Sequence, residues 1–538
     1  MRLYFGLLAL VLCLSQAAAV AAQKPNILVI VADDLGYTDV GAFGGEISTP
    51  NIDALASAGT LLTNFHAAPA CAPSRSMLLT GTDNHIAGLG AQPGLLSPEQ
   101  RGSKHYQGKL LPEVPTLMEQ LKAAGYRTLA SAKWHLGGQA PHTPKARGFD
   151  RSFVLVQGAG GHFDDTSALE FHPRSFWLED DKPFTLPEEF YSSDFMTDKM
   201  LEYLDEDSSD TPWFAYLGYT APHWPLQAPA ESIQKYESQY LDGWDVLRDQ
   251  RLQGAISAGV VPSGTPAVET EPFTRLWSSL KPEDQRLQAR RMQVYAAMID
   301  RMDQNIGRVL DALEERGDAD NTIVLFLSDN GAASEQMESA NPAHQQWLEK
   351  NFDNSFDSIG SRRSYVSLGH SWARALTAPF RDSKSKLAEG GIRVPAILRL
   401  PQGVQNERKL RQQDDSYQHI IDLAPTFLEL AGAKPLPSMR GTSLLPQWLD
   451  GEASYNEKTI IAAELFGRRM AQRGSWKALH QSPPWGPGEW QLFNLANDLG
   501  EQTDLSADYP DLLAELIDAY ERYADEVGVI KLTTAVPF

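Results

Sequence analysis

The chain has 538 residues, 42% hydrophobic and 22% charged, a globular balance with room for one large domain and a smaller one. Lys and Arg number 47 against 69 Asp and Glu, a formal net charge of −22. That excess of acid excludes a nucleic-acid phosphate backbone as partner and leaves carboxylate clusters as candidate sites for a hard cation.

Residues 1–22 read as a secretory signal. Arg2 supplies the positive start, residues 7–14 an apolar run, and Ala18-Ala19-Val20-Ala21-Ala22 the small residues of a cleavage site. The apolar part is too short to span a bilayer, and no later stretch is long and apolar enough to do so. The expected location is periplasmic or secreted. With Cys13 removed, Cys71 is the sole cysteine of the mature chain, which can close no internal disulfide.

Beyond the signal, apolar strands alternate with helices. Asn26-Ile27-Leu28-Val29-Ile30-Val31-Ala32 is an unbroken run rich in β-branched residues, the pattern of a parallel strand buried on both faces. It stops in Asp33-Asp34, two adjacent carboxylates that repel unless a cation lies between them. A short helix over 49–59, with Pro50 near its start and Gly59 at its end, precedes a strand over 61–65. Cys71-Ala72-Pro73-Ser74-Arg75-Ser76-Met77-Leu78-Leu79-Thr80-Gly81 then reads as a helix beginning at its cysteine, with Met77, Leu78 and Leu79 as core anchors. A thiol at that start faces unpaired backbone N–H groups and the positive helix end, which favours its anionic form.

A helix over 114–124 leads to a strand over 127–132, which ends in Lys133-Trp134-His135-Leu136-Gly137. A strand over 152–157 ends in Gly158-Ala159-Gly160-Gly161-His162, and one over 213–219 in Thr220-Ala221-Pro222-His223-Trp224-Pro225. Residues 231–290 read as a partly helical excursion. The clearest helix spans 292–315, with Met298, Met302, Ile306, Leu310 and Leu313 on one face. A second unambiguous buried strand, 322–328, ends in Asp329-Asn330-Gly331. Residues 332–383 are polar and irregular, expected as loops over a site. A strand over 392–400 and a helix over 419–431 follow. From 452 the texture changes to short strands over 459–464, 468–472, 476–479 and 490–494, closed by a helix over 511–527. The expected domains are 23–451 and, as an antiparallel sheet with a helix, 452–538.

In a parallel sheet the strand ends gather along one edge. Asp33, Asp34, Asp329 and Asn330 would form an oxygen-rich site for Ca²⁺ or Mg²⁺. Zn²⁺ suits it less, for the chain has no HExxH and too few cysteines. Arg75, Lys133, Lys384, His135 and His223 would complement an anionic tetrahedral group such as sulfate or phosphate. One histidine could protonate a leaving oxygen while the other orients a nucleophile.

Cys71-Ala72-Pro73-Ser74-Arg75 with Thr80-Gly81 resembles the signature of type I sulfatases, Cys-x-Pro-Ser-Arg followed by Thr-Gly. The resemblance extends through Pro25-Asn26-Ile27 to Asp34-Gly36, Lys133 to Gly137, Ala221 to Pro225, Ser328-Asp329-Asn330-Gly331 and Glu389-Gly390-Gly391-Ile392-Arg393-Val394-Pro395. Tyr240-Leu241-Asp242-Gly243-Trp244-Asp245 and Glu464-Leu465-Phe466-Gly467 resemble bacterial arylsulfatases in particular. It covers nearly the whole mature chain. It implies an α/β, alkaline-phosphatase-like fold, a large mixed but mostly parallel sheet flanked by helices.

The resemblance also implies that Cys71 is oxidised after translation to Cα-formylglycine by a formylglycine-generating enzyme. Asp33, Asp34, Asp329 and Asn330 match the ligands of one Ca²⁺, and Arg75, Lys133, His135, His223 and Lys384 the sulfate-binding and catalytic positions. Ser383-Lys384-Ser385-Lys386 offers two lysines, and the spacing to Glu389-Gly390 favours Lys384. The implied reaction cleaves a small aryl or sugar sulfate monoester to an alcohol or phenol plus sulfate. One hydroxyl of the hydrated aldehyde attacks sulfur with His223 as acid. The second is deprotonated by His135 and expels sulfate, a release that a plain Ser or Cys could not perform. A phosphate or phosphonate monoester hydrolase of the same fold, and a non-catalytic binder of sulfated glycans, are the alternatives.

Overall fold

The computed structural model describes residues 24–207, 209–268, 272–407 and 411–532, so the signal segment lies outside the described residues. The strand Asn26–Ala32 is the middle of the molecule. Its side chains alternate between two buried clusters. Leu28, Ile30 and Ala32 join one, and Ile27, Val29 and Val31 the other. A strand apolar on both faces is stable only when both are covered. Helices Pro50–Ser57, Ser192–Asp205 and Pro282–Arg316 cover the first face, and Cys71–Thr80, Leu117–Ala123 and Leu423–Leu430 the second.

Among the described residues ten strands form this mixed sheet. Their order is Gln413–Asp414, Thr60–Leu62, Ala396–Arg399, Thr322–Ser328, Asn26–Ala32, Trp213–Gly218, Arg127–Lys133, Arg151–Leu155, Trp177–Glu179, Lys182–Pro183. From Thr322–Ser328 to Arg151–Leu155 the five strands run parallel, so their carboxyl ends emerge on one edge. Ala396–Arg399 is antiparallel to Thr322–Ser328, and Trp177–Glu179 to Arg151–Leu155.

Several elements differ from the sequence expectation. The long helix begins at Pro282, ten residues before its apolar stripe, because Pro282 opens it and Glu283 and Asp284 complement its first turn. The segment expected as one strand over 61–65 is two, Thr60–Leu62 in the main sheet and Phe65–His66 in a three-stranded one. The 392–400 segment divides likewise, into Arg393–Val394 and Ala396–Arg399, with Pro395 between them unable to donate to a ladder. Residues 332–383 hold the helices Pro342–Asn351 and His370–Leu376 with buried Tyr365 and Trp372, so they are packed structure rather than open loops.

Ile460–Leu465, Arg468–Arg473, Trp476–His480 and Trp490–Asn494 form a four-stranded antiparallel meander under the helix Pro510–Val527. Its other face packs Met470, Leu479 and Phe493 on Leu387, Ala388 and Ile392. At that contact Lys477 is fully buried, its Nζ 2.8 Å from Glu389 Oε1 and 3.0 Å from Glu501 Oε1. Burial alone would raise Glu389, but Lys477 and His66 override it and hold that carboxyl well below its usual range. Burial holds Glu501 above its usual range in spite of Lys477.

Lys477→Met would remove the cation that bridges the two buried carboxylates, leaving Arg393 Nη1 at 3.7 Å from Glu389, and is expected to cost about 3–5 kcal/mol of stability. Glu501, already held above its usual range, would then bind a proton in the folded state that the unfolded chain releases above its ordinary glutamate pKa near 4.5. The folded pKa is the higher one, so the variant is most stable in acid and loses stability as pH rises. Melting temperatures between about pH 5 and pH 8 should therefore fall more steeply for the variant than for the parent. Parallel curves would contradict this account.

Candidate active site

The residues singled out in sequence converge at the carboxyl edge of the five parallel strands. Asp33 and Asp34 follow Asn26–Ala32, and Asp329 and Asn330 follow its neighbour Thr322–Ser328. The two ends are stitched together: Asp329 N–H donates to Ala32 O at 3.1 Å and Asp34 N–H to Asp329 Oδ1 at 3.2 Å. Asp34 lies in the left-handed region at φ 68°, a strained backbone position at the end of its strand. Asn330 Nδ2 donates to Asp34 Oδ1 at 2.7 Å, while its Oδ1 is buried without a hydrogen-bond partner.

Cys71 opens the helix Cys71–Thr80, one turn before Arg75 on the same face. The helix stops at Gly81, φ 66°, where a Cβ would come within 3.1 Å of Ala424 and Pro425. Cys71 Sγ lies 3.5 Å from Asp34 Oδ1. Single ligand atoms of Asp33, Asp34, Cys71 and His223 all fall within 4.8 Å of one another. The expectation of an anionic thiol is overturned. Burial, then the Asp329 charge, hold Cys71 well above its usual range against Lys133 and Lys384. The helix end is a partial charge, whereas burial strips the thiolate of its hydration and the neighbouring carboxylates carry whole charges.

Three cations face these acids. Lys133 Nζ donates to both oxygens of Asp33, at 2.8 and 2.6 Å. Lys384 Nζ donates to Asp34 Oδ2 at 2.7 Å. Its neighbour Lys386 turns away to Ser334 Oγ at 3.2 Å and lies 4.0 Å over the Trp485 ring. Arg75 donates from Nε to Asp329 Oδ2 at 2.9 Å, and from Nη1 to Lys133 O at 2.9 Å and Tyr216 Oη at 3.0 Å. Its Nη2 ion-pairs with Asp329 but, though buried, makes no hydrogen bond. Even with these cations, burial and Asp329 raise Asp33 to about 7.

The two histidines differ in what holds them. His223 Nδ1 donates to Trp224 O at 2.7 Å, which leaves Nε2 facing Asp34 Oδ2 at 3.4 Å. His135, at φ 59°, keeps its Nδ1 buried and unbonded. Its ring lies against Gly158, where a Cβ would come within 2.3 Å of Cε1. Burial and the adjacent lysines hold both rings well below the ordinary histidine value, so both are neutral.

Sequence reasoning passed over Tyr216, whose hydroxyl binds Arg75, and Gly158. Tyr216 lies within an apolar strand and reads there as core; its signal is a phenol in a buried run that must find a partner. Gly158 is one of three glycines in a tetrad, and only the folded loop shows which of them meets a ring.

A family model described as Sulfatase matches residues 25–433. An uncharacterized sulfatase of Schizosaccharomyces pombe is 41% identical over 529 residues, covering 94% of this chain and 95% of that protein. An arylsulfatase of Klebsiella aerogenes is 38% identical over 463 residues, covering 85% of this chain and 96% of its own length. Among solved structures, Ps i-CgsB in complex with k-i-k-neocarrahexaose superposes with a TM-score of 0.67 at 26% identity, covering 93% of each chain. On this match of family, relatives and alkaline-phosphatase-like architecture, the chain belongs to the sulfatase family and is a sulfuric ester hydrolase.

Proposed function

We propose that this chain is an arylsulfatase-type hydrolase of a sulfate monoester, built around a formylglycine derived from Cys71 and one bound Ca²⁺. One observation carries the reading. Two buried polar atoms of the site lack hydrogen-bond partners, Asn330 Oδ1 and His135 Nδ1, while Arg75 Nη2 meets only the carboxylates of Asp329, at 2.7 Å, and Asp33, at 3.5 Å. Buried polar atoms are ordinarily satisfied, so an amide oxygen left open among three carboxylates favours a cation, and the cations crowded beside it, Arg75, Lys133 and Lys384, favour an anion.

The donor set suits a hard cation. Asp33, Asp34 and Asp329 would hold it through carboxylate oxygens and Asn330 through its unbonded amide oxygen, all hard ligands. Bound there, Ca²⁺ supplies positive charge to polarise a sulfate oxygen. Hydrated formylglycine supplies two hydroxyls on one carbon, a nucleophile toward sulfur and a means of releasing sulfate.

The remaining residues bind charge and move protons. Arg75 Nη2, Lys133 and Lys384 would donate to sulfate oxygens and stabilise the charge that develops on them. His223 Nδ1 is committed to Trp224 O, so Nε2 is its only site for taking up and delivering a proton. His135 is held neutral by burial, Lys133 and Arg75, with Nδ1 open as a base. The sulfate charge would offset those lysines and favour a proton on His223 when substrate binds. Trp224 lies beside His223, ring centroids 4.4 Å apart, and offers a flat wall for an aryl or sugar leaving group.

Cys71 is completely buried, so a formylglycine-generating enzyme would have to reach it before the chain folds. That order fits export of the chain to a periplasmic or extracellular location. No helix among the described residues is long and apolar enough to cross a membrane.

Mass spectrometry of the peptide bearing Cys71, from a host with the modifying enzyme, should show the aldehyde. Cys71→Ala should abolish turnover of 4-nitrophenyl sulfate, by about 10³-fold or more, with an unchanged melting temperature. Near-parental activity in that variant, or a preference for 4-nitrophenyl phosphate by orders of magnitude, would overturn the assignment. Chelation with EGTA should lower both activity and melting temperature, the latter by about 5 °C, with Ca²⁺ restoring both; an unchanged melting curve would remove the cation from the account. Gly158→Ala should press on the His135 ring and lower kcat on the order of 10-fold or more at nearly constant melting temperature, and parental kcat would show that the ring's placement is irrelevant.

A further inference from the structure

The loop after Arg151–Leu155 carries a buried histidine that the chemistry above leaves unused. His162 is 1% exposed, and its Nε2 lies 3.1 Å from the backbone carbonyl of His223. Its Nδ1 lies 2.7 Å from Ser192 Oγ, at the start of the helix Ser192–Asp205. A carbonyl can only accept, so Nε2 carries the proton and Nδ1 accepts from Ser192. Thr220 Oγ1 donates to Ser192 Oγ at 3.0 Å. The chain of donors therefore runs from Thr220 through Ser192 and His162 to the His223 carbonyl.

That chain closes around a turn. Thr220 and His223 are its two ends, joined by His223 N–H donating to Thr220 O at 3.1 Å. His162 is itself held, its N–H donating to Gln227 Oε1 at 2.8 Å and its carbonyl accepting from Ser192 N–H at 2.8 Å. The peptide leaving His223 is pinned through its carbonyl oxygen, and the next carbonyl, Trp224 O, takes the His223 Nδ1 proton. The aim of Nε2 thus depends on a peptide group that His162 fixes from outside the site.

We propose that His162, seconded by Ser192, is a positioning residue for His223: by bonding the His223 carbonyl it fixes the turn that presents Nε2 to the leaving oxygen. This rests on the reading of His223 as the acid. Proton delivery matters in proportion to the basicity of the leaving group, which separates positioning from a merely structural role.

The test compares kcat/KM for phenyl sulfate, a poor leaving group, and 4-nitrophenyl sulfate, a good one. His162→Ala should lose on the order of 30-fold on phenyl sulfate and less than about 3-fold on 4-nitrophenyl sulfate. His162→Gln, whose amide N–H can still donate to the His223 carbonyl, should recover most of the phenyl sulfate activity. Ser192→Ala should show the same selective loss, smaller in size, and with the Gln variant it decides the matter if His162→Ala does not fold. Melting temperature and Cys71 conversion are measured on each. Equal losses on the two substrates, or none, overturn the proposal while leaving the acid reading intact if His223→Ala is itself leaving-group dependent. If His223→Ala shows no such dependence, both fall.

Discussion

Like-charge crowding at the carboxyl edge of the sheet is the constraint on which the rest depends. Parallel pairing of Thr322–Ser328 with Asn26–Ala32 carries Asp33, Asp34 and Asp329 to one buried edge. Three carboxylates out of water repel one another and lose hydration, and the rise of Asp33 to about 7 is the trace of that cost. Lys133, Lys384 and Arg75 offset it. Each comes from a different part of the chain, and each contacts an aspartate directly. The proposed cation and the sulfate group would enter a lattice of alternating charge that the fold already holds in tension.

The C-terminal meander takes part in that lattice from behind. Leu387, Ala388 and Ile392, just past Lys384, pack on its sheet, and Glu389 in the same stretch is bonded by Lys477. The segment carrying Lys384 is therefore clamped to the meander by an apolar contact and a buried ion pair. A break there would loosen a cation of the proposed site as well as weaken the fold.

Much of this was readable from the chain. The apolar runs ending in Asp33-Asp34 and Asp329-Asn330 announce their own ends, since an apolar strand does not continue through adjacent carboxyl and amide side chains. The cysteine helix was legible because Pro73 and Gly81 are positional residues. Other features were not. The start of the long helix is not legible because Pro282, Glu283 and Asp284 are exposed and its first ten residues carry no apolar stripe, only Leu287 and Ala289 turning toward the core. Trp372 and Tyr365 were hidden in a segment polar enough to pass for loop. The state of the Cys71 thiol is not legible because a helix end is visible in sequence, whereas the burial that outweighs it, and the Asp329 charge that adds to it, come from residues far away in the chain.

The sequence by itself determined the inventory and its polarity: which strands are buried on both faces, where each stops, and which ionisable groups stand at those stops. These follow from local chemistry, because solvation and hydrogen-bonding capacity belong to a residue and its near neighbours. Only the tertiary structure decided the pairings. It separated Lys384 on Asp34 from Lys386 on Ser334, left Asn330 Oδ1 and His135 Nδ1 without partners, and placed His162 behind His223. Such choices depend on distances of a few ångströms between residues up to hundreds of positions apart, and those distances exist only once the sheet has closed.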